Sequence, residues 1–175
     1  YLEDNLIHYV FFDPFDNSWS AIDFVELVSS TTSGSIISYS IEGYDNTLAI
    51  AWLEDTTDIF YIRYATVDVT GLEGIATTGI DSSQKVLMSN NYLVDGYTKI
   101  DISLDEDNLP NIFCSGAKSL LLSKESSGQW SKDIVGMESP SSGLVPKSLN
   151  YKERNGLKVV SFSNNDGDIY CFLEG

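Results

Sequence analysis

An all-β fold assembled from repeated small antiparallel sheets is what this sequence predicts, and three observations carry the prediction. No window keeps apolar residues at i, i+3, i+4 and i+7 over the three turns of an amphipathic helix. Short runs rich in Ile, Val, Tyr, Phe and Thr recur instead, parted by Gly, Asn, Asp and Ser clusters, the pattern of strands joined by hairpins. The runs also keep register along the 175 residues, as one small unit written several times would.

Taken in chain order, the first unit covers about 1–28. There "LIHYVFF" reads as a strand, "DPFDN" as a tight turn and "SWSAIDFV" as a further strand opened by Trp19. The second unit, about 35–89, runs through "SIISYSI", the strand beginning at Leu48, and "DIFYIRY"; "QKVLM" is its outer strand, after a glycine-containing connection. The third, about 97–136, reads "TKIDISL", then the strand after Leu109, then "KSLLLSK", and passes through "ESSG" into "QWSKDIV". The fourth, about 146–175, reads "PKSLNY", the strand from Leu157, and "DIYCFL".

Leu48, Leu109 and Leu157 each follow an Asn-containing turn. From them to Ile59, Leu120 and Ile169 the offsets are 11, 11 and 12. Trp130 opens the outermost strand of the third unit as Trp19 does in the first. A broad ring at that place covers a sheet edge and the turn backbone. Four short antiparallel strands every 45 to 60 residues or so describe the blade of a β-propeller, which buries its faces against its neighbours. The expected architecture is therefore a single β-propeller-like domain over 1–175 with three to four blades of four antiparallel strands. It is either a four-bladed ring, closed by "SWSAIDFV" completing the last unit, or a segment of a larger propeller. The start at Tyr1 and the three-stranded last unit favour the segment, whose open faces would take the missing blades or another subunit.

"SNNDGDIY" (163–170) resembles a degenerate Asp box, the S-x-D-x-G-x-x-W hairpin of sialidase-like propellers. Ser163, Asn165, Gly167 and Tyr170 stand at the motif positions, with Asn in place of Asp and Tyr in place of Trp. In that family the box is a structural turn on the outside of a blade. The resemblance therefore implies a hairpin and a secreted or cell-surface setting, and assigns no active site. The other units depart from the box: "SKESSGQW" has its Gly one place late and "LEDTTDIF" has none.

Charge and residue usage narrow the chemistry. Twenty-six acidic residues against ten basic ones give −16, a surface that repels nucleic acid and anionic lipid. The longest apolar runs fall far short of a membrane span, so neither nucleic-acid binding nor membrane insertion is expected. His8, the only histidine, sits inside an apolar strand run, which argues against a histidine-dependent triad or a zinc site. No phosphate-binding glycine loop occurs. A sialidase grips its substrate carboxylate with three arginines, whereas Arg63 and Arg154 are the only two here.

Asp101, Asp105, Glu106 and Asp107 offer the paired carboxylates that other glycosidases use, yet "DISLDEDN" reads first as a solvated hairpin. No cofactor is expected; for Ca²⁺ the candidate oxygens are Asn164, Asp166 and Asp168. Cys114 and Cys171, both in apolar runs, read as buried free thiols, with a mutual bridge as the alternative. Aromatic residues make up 12% of the chain, among them Tyr39, Tyr44, Trp52, Phe60, Tyr61, Tyr64, Tyr92 and Tyr97. Most should fill sheet interfaces, leaving exposed ones to stack on sugars or partner side chains. The expected role is non-catalytic recognition or scaffolding in a secreted or cell-surface protein, binding a protein partner or glycan through loops at one end of the blades. The alternatives are part of a carbohydrate-active enzyme, a hydrolase or lyase, and a structural unit of a surface layer or filament.

Overall fold

The computed structural model describes residues 2–3, 6–9, 12–13, 17–19, 25–29, 35–44, 47–55, 60–68, 84–89, 99–115, 119–135, 148–163 and 166–174. They form an all-β structure with no helix, and every strand pairing is antiparallel. Among the described residues, therefore, no helix is long and apolar enough to cross a membrane.

Strands β1 (Leu2–Glu3) and β2 (Leu6–Tyr9) precede a two-stranded ribbon of β3 (Phe12–Asp13) and β4 (Ser18–Trp19), and β5 (Val25–Ser29) follows it. Sheet I has the order β1-β2-β5. Sheet II is the meander β6 (Ser35–Tyr44), β7 (Thr47–Asp55), β8 (Phe60–Asp68) and β9 (Gln84–Ser89). Sheet III is the meander β10 (Lys99–Leu104), β11 (Pro110–Ser115), β12 (Ser119–Lys124) and β13 (Trp130–Val135). Sheet IV has β14 (Ser148–Arg154), β15 (Leu157–Ser163) and β16 (Ile169–Glu174).

Sheet I keeps the predicted N-terminal hairpin in its described parts. Trp19 lies in a two-residue strand paired with β3, and β2 takes β5 as its partner. The described ends of "SWSAIDFV" thus lie beside "LIHYVFF": Trp19 pairs with Phe12, and Val25, which begins β5, pairs with Tyr9. Residues 20–24 lie outside the described set. Nor do the described N-terminal strands complete sheet IV, because β4 and β5 pair elsewhere.

Turn chemistry explains the hairpins. Asn155 and Gly156, with φ of 54° and 74°, make a two-residue connection with both centres left-handed, the twist that suits antiparallel strands. The β10–β11 and β12–β13 connections are alike. Asp105 N–H donates to Leu109 O at 3.0 Å and Asn108 N–H to Asp105 O at 3.1 Å. Glu125 N–H donates to Gln129 O and Gly128 N–H to Glu125 O, both at 2.8 Å. In each, the fourth residue of the connection has positive φ: Asn108 at 61° and Gly128 at 83°. Pro110 opens β11, the strand position that tolerates an imide nitrogen.

Among the described residues, side-chain alternation then builds three cores. Ala49, Ala51, Leu53, Ile62 and Tyr64 of sheet II meet Ile100, Ile102, Ile112, Cys114, Leu120 and Leu122 of sheet III. The opposite face of sheet II, with Ile50, Trp52 and Ala65, meets Ile7 of sheet I. The opposite face of sheet III, with Phe113 and Leu121, meets Tyr151 and Val160 of sheet IV, and the Phe113 and Tyr151 rings stack at 5.6 Å. Strands buried on both faces need near-continuous apolar sequence, as "NIFC" and "LLL" supply.

The first strands of sheets II, III and IV lie side by side. Side chains of each preceding strand accept from the backbone of the next: Ser38 Oγ from Ile100 N–H at 3.2 Å, and Ser103 Oγ from Glu153 N–H at 3.3 Å. Asp101 Oδ2 accepts from Tyr151 N–H at 2.6 Å, while its Oδ1 accepts from Ser40 Oγ and from its neighbour Ile102 N–H. These amides point away from their own sheets, so the contacts satisfy edges that would otherwise be bare. The partners advance together in sequence, so β6, β10 and β14 run parallel. Lys152 of β14 also pairs with Glu42 of β6, across β10. In a flat stack with sheets about 10 Å apart, β6 and β14 would stand about 20 Å apart, beyond the joint reach of these side chains. The pair thus brings β6 and β14 within side-chain reach of each other on either side of β10.

Candidate functional site

Because β6, β10 and β14 are parallel, their first hairpins turn at one end of the molecule. A shallow open cleft of about 170 Å³ lies there between the β10–β11 and β14–β15 connections. One wall is Asp105, Glu106 and Asp107; the other is Glu153, Arg154, Asn155 and Gly156. Asp105 is committed to its own loop, its Oδ1 accepting from Asp107 N–H at 2.9 Å and Leu109 N–H at 2.8 Å. Glu153 Oε2 accepts from the Tyr151 hydroxyl at 2.8 Å, which fixes it against the β14 backbone. Glu106, Asp107 and Arg154 reach solvent. Four carboxylates face one guanidinium, so the cleft presents an electronegative rim suited to cationic or hydroxyl-rich groups. Tyr44, 47% exposed at the end of β6, adds an aromatic face at this same end.

The sequence candidates separate sharply. Asp101 is not part of the solvated turn: it lies in β10, partly buried, holding three strands together. Asp105, Glu106 and Asp107 do form the turn and line the cleft. Among the expected aromatics, Trp52 is fully buried and Tyr64 nearly so, both in cores. Tyr39 and Tyr61 are half-buried, and Phe60 opens β8. Tyr92 and Tyr97 lie outside the described residues.

Of the landmarks, Leu48 packs on the core between sheets I and II, and the Leu109 N–H is held by Asp105. Leu157 opens β15 at 46% exposure. Trp130 opens β13 and sets its ring edge-on to Tyr64 at 5.4 Å, sealing the core between sheets II and III. Burial raises the Tyr64 phenol above its usual value.

In the Asp-box-like hairpin, Gly167 has φ of 89° and Tyr170 stacks on Phe162 at 5.1 Å. Ser163 Oγ lies 2.8 Å from Ser148 Oγ, and Asn165 is outside the described residues. So is Asn164; Asp166 and Asp168 flank Gly167 on the surface. Among the described residues, no group of three His, Cys, Asp or Glu side chains is disposed to hold a metal ion. His8 stands in β2.

Cys114 meets the expectation of a buried free thiol, and Cys171 does not. Both are free; Cys114 is buried, but Cys171 is exposed. β16 has no described strand on its outer side, so its apolar sequence is left uncovered. Burial pushes the Cys114 thiol up to about 12. Native protein at pH 8 should therefore react with a thiol reagent at one site, Cys171, and at two after unfolding. A Cys171→Ser variant that still reacts quickly while folded would contradict this placement. The fold accepts only the protonated Cys114, whose ordinary value is 9.0. Its contribution is complete below about pH 9 and is lost as pH rises through about 12.

Sequence reasoning missed the Glu54–Arg63 pair. Both side chains are buried, Glu54 in β7 and Arg63 in β8, and Arg63 also lies over the Tyr61 ring at 5.4 Å. The available signal was an arginine inside the apolar run "DIFYIRY", a position that demands an anionic partner. Comparison of the chain with family models, with curated proteins and with solved structures finds no match.

Proposed function

We propose that sheets II, III and IV are blades of a β-propeller arc, and that the chain is a non-catalytic recognition or scaffolding domain. It would act in a secreted or cell-surface protein, binding a protein partner or glycan at the cleft end. The observation that supports the reading is the Lys152–Glu42 pair across β10, which fits sheets fanning around a line. Parallel first strands at the centre gather the loops of successive sheets at one end, and such an end serves recognition. The positive φ of Gly167 and the stacked Tyr170 support the likeness to an Asp-box hairpin.

The cleft favours ligands carrying amines, guanidinium groups or many hydroxyls. A panel of basic peptides and of amino and neutral oligosaccharides, titrated against the chain, tests this. Glu106→Lys with Asp107→Lys should weaken binding of a basic ligand by about tenfold or more, roughly 1.4 kcal/mol, and added salt should weaken the unmodified protein's binding. Binding indifferent to both changes would reject the cleft as the site. Glycoside cleavage abolished by the same substitutions would replace recognition with catalysis.

A further inference from the structure

We propose that the outer edge of β16 is a docking site for an extended, basic-flanked strand from a partner chain, which adds to sheet IV as its fourth strand. This surface is separate from the cleft, and the inference stands whether or not the cleft binds a ligand. In sheet II the third strand, β8, is paired on its far side by β9; in sheet III, β12 is paired by β13. In sheet IV the third strand, β16, has only β15 as a partner among the described residues.

The exposed backbone groups can be identified by alternation. Tyr151 N–H faces Asp101, away from β15, so the Tyr151–Val160 pair exchanges no ladder bonds. Val160 must then bond toward β16, where its partner is Phe172. Ile169, Cys171 and Leu173 consequently turn their N–H and C=O groups to the edge that no described strand pairs. Their side chains share the face turned away from sheet III, with Ile169 80% and Leu173 70% exposed. The matching stretch of β12, Leu120 to Leu122, is almost wholly buried. An apolar strand bare along its edge and one face is a template for strand addition.

Charge selects the occupant. Asp166 and Asp168 precede β16, Glu174 closes it, and a second copy of the chain would bring a further −16. The internal fourth strands, "QKVLMS" and "WSKDIV", each combine aliphatic residues with one lysine. The fitting partner is thus a strand of alternating apolar residues flanked by Lys or Arg.

The test uses the whole chain and a labelled peptide carrying the β13 sequence between two lysines. Saturable binding is expected, with slowed reaction of the Cys171 thiol and slowed hydrogen exchange at the amides of Ile169, Cys171 and Leu173. The same peptide N-methylated along its backbone keeps its side chains but loses its donors, and should bind about tenfold more weakly or worse. Glutamate flanks should weaken it too. Leu173→Pro, which removes one outward N–H at an edge that tolerates proline, should block docking. Equal binding of the N-methylated peptide, or unchanged Cys171 reactivity on saturation, would overturn the proposal. So would self-association of the chain that Leu173→Pro abolishes, since the occupant would then be a second copy.

Discussion

Arg63→Met is expected to lower stability by about 3–5 kcal/mol, read as a shift of the urea unfolding midpoint. The guanidinium is the cation of a buried pair, and its loss leaves the fully buried Glu54 carboxylate facing an apolar side chain. That carboxylate cannot regain water without opening the packing beside Trp52. Removing both charges at once, as Glu54→Leu with Arg63→Met, should recover most of the loss, because a buried ion pair gains little over well-packed apolar groups. Arg63→Lys should fall between, since an ammonium lacks the planar fork and the stacking on Tyr61. A loss below about 1 kcal/mol for Arg63→Met would show that the pair is solvated.

Asp101→Ala should cost about 2–4 kcal/mol by the same measurement. One carboxylate accepts from the Tyr151 amide of β14, the Ser40 hydroxyl of β6 and the Ile102 amide of its own strand. Alanine strands the Tyr151 N–H between sheets III and IV. Asparagine keeps one acceptor, which can face Tyr151 while its amide group donates to Ser40, so Asp101→Asn should recover about half. The loss should be accompanied by faster hydrogen exchange at Tyr151 and Glu153, where β14 leans on β10. An Asp101→Ala protein with unchanged protection at Tyr151 would refute this role.

Strands and hairpins were legible because alternation and turn residues act locally. "NG" before Leu157 and "SSG" before Trp130 each dictate a connection that the structure contains. "QKVLM", read as an outer strand, is β9. What failed was set by distant partners. Asp101 looked like one of four acids in a turn because its partners Ser40 and Tyr151 lie 61 and 50 residues away. Cys171 looked buried because "DIYCFL" is as apolar as a core strand, yet burial needs a covering neighbour that sequence periodicity does not supply. The cleft was half visible: its acidic wall stood out in "DEDN", while the opposing Glu153 and Arg154 came near only through sheet packing.

From β6 onward each sheet consists of strands adjacent in sequence, and the acceptors Ser38, Asp101 and Ser103 sit on the earlier strand of each neighbouring pair. Hairpins close in roughly 1–10 μs and need only nearby residues. A sheet emerging during synthesis can therefore zip shut by itself and present its hydroxyls and carboxylate before the following one has been translated. Assembly then has a direction, from amino to carboxyl end, with each completed layer serving as the template on which its successor nucleates.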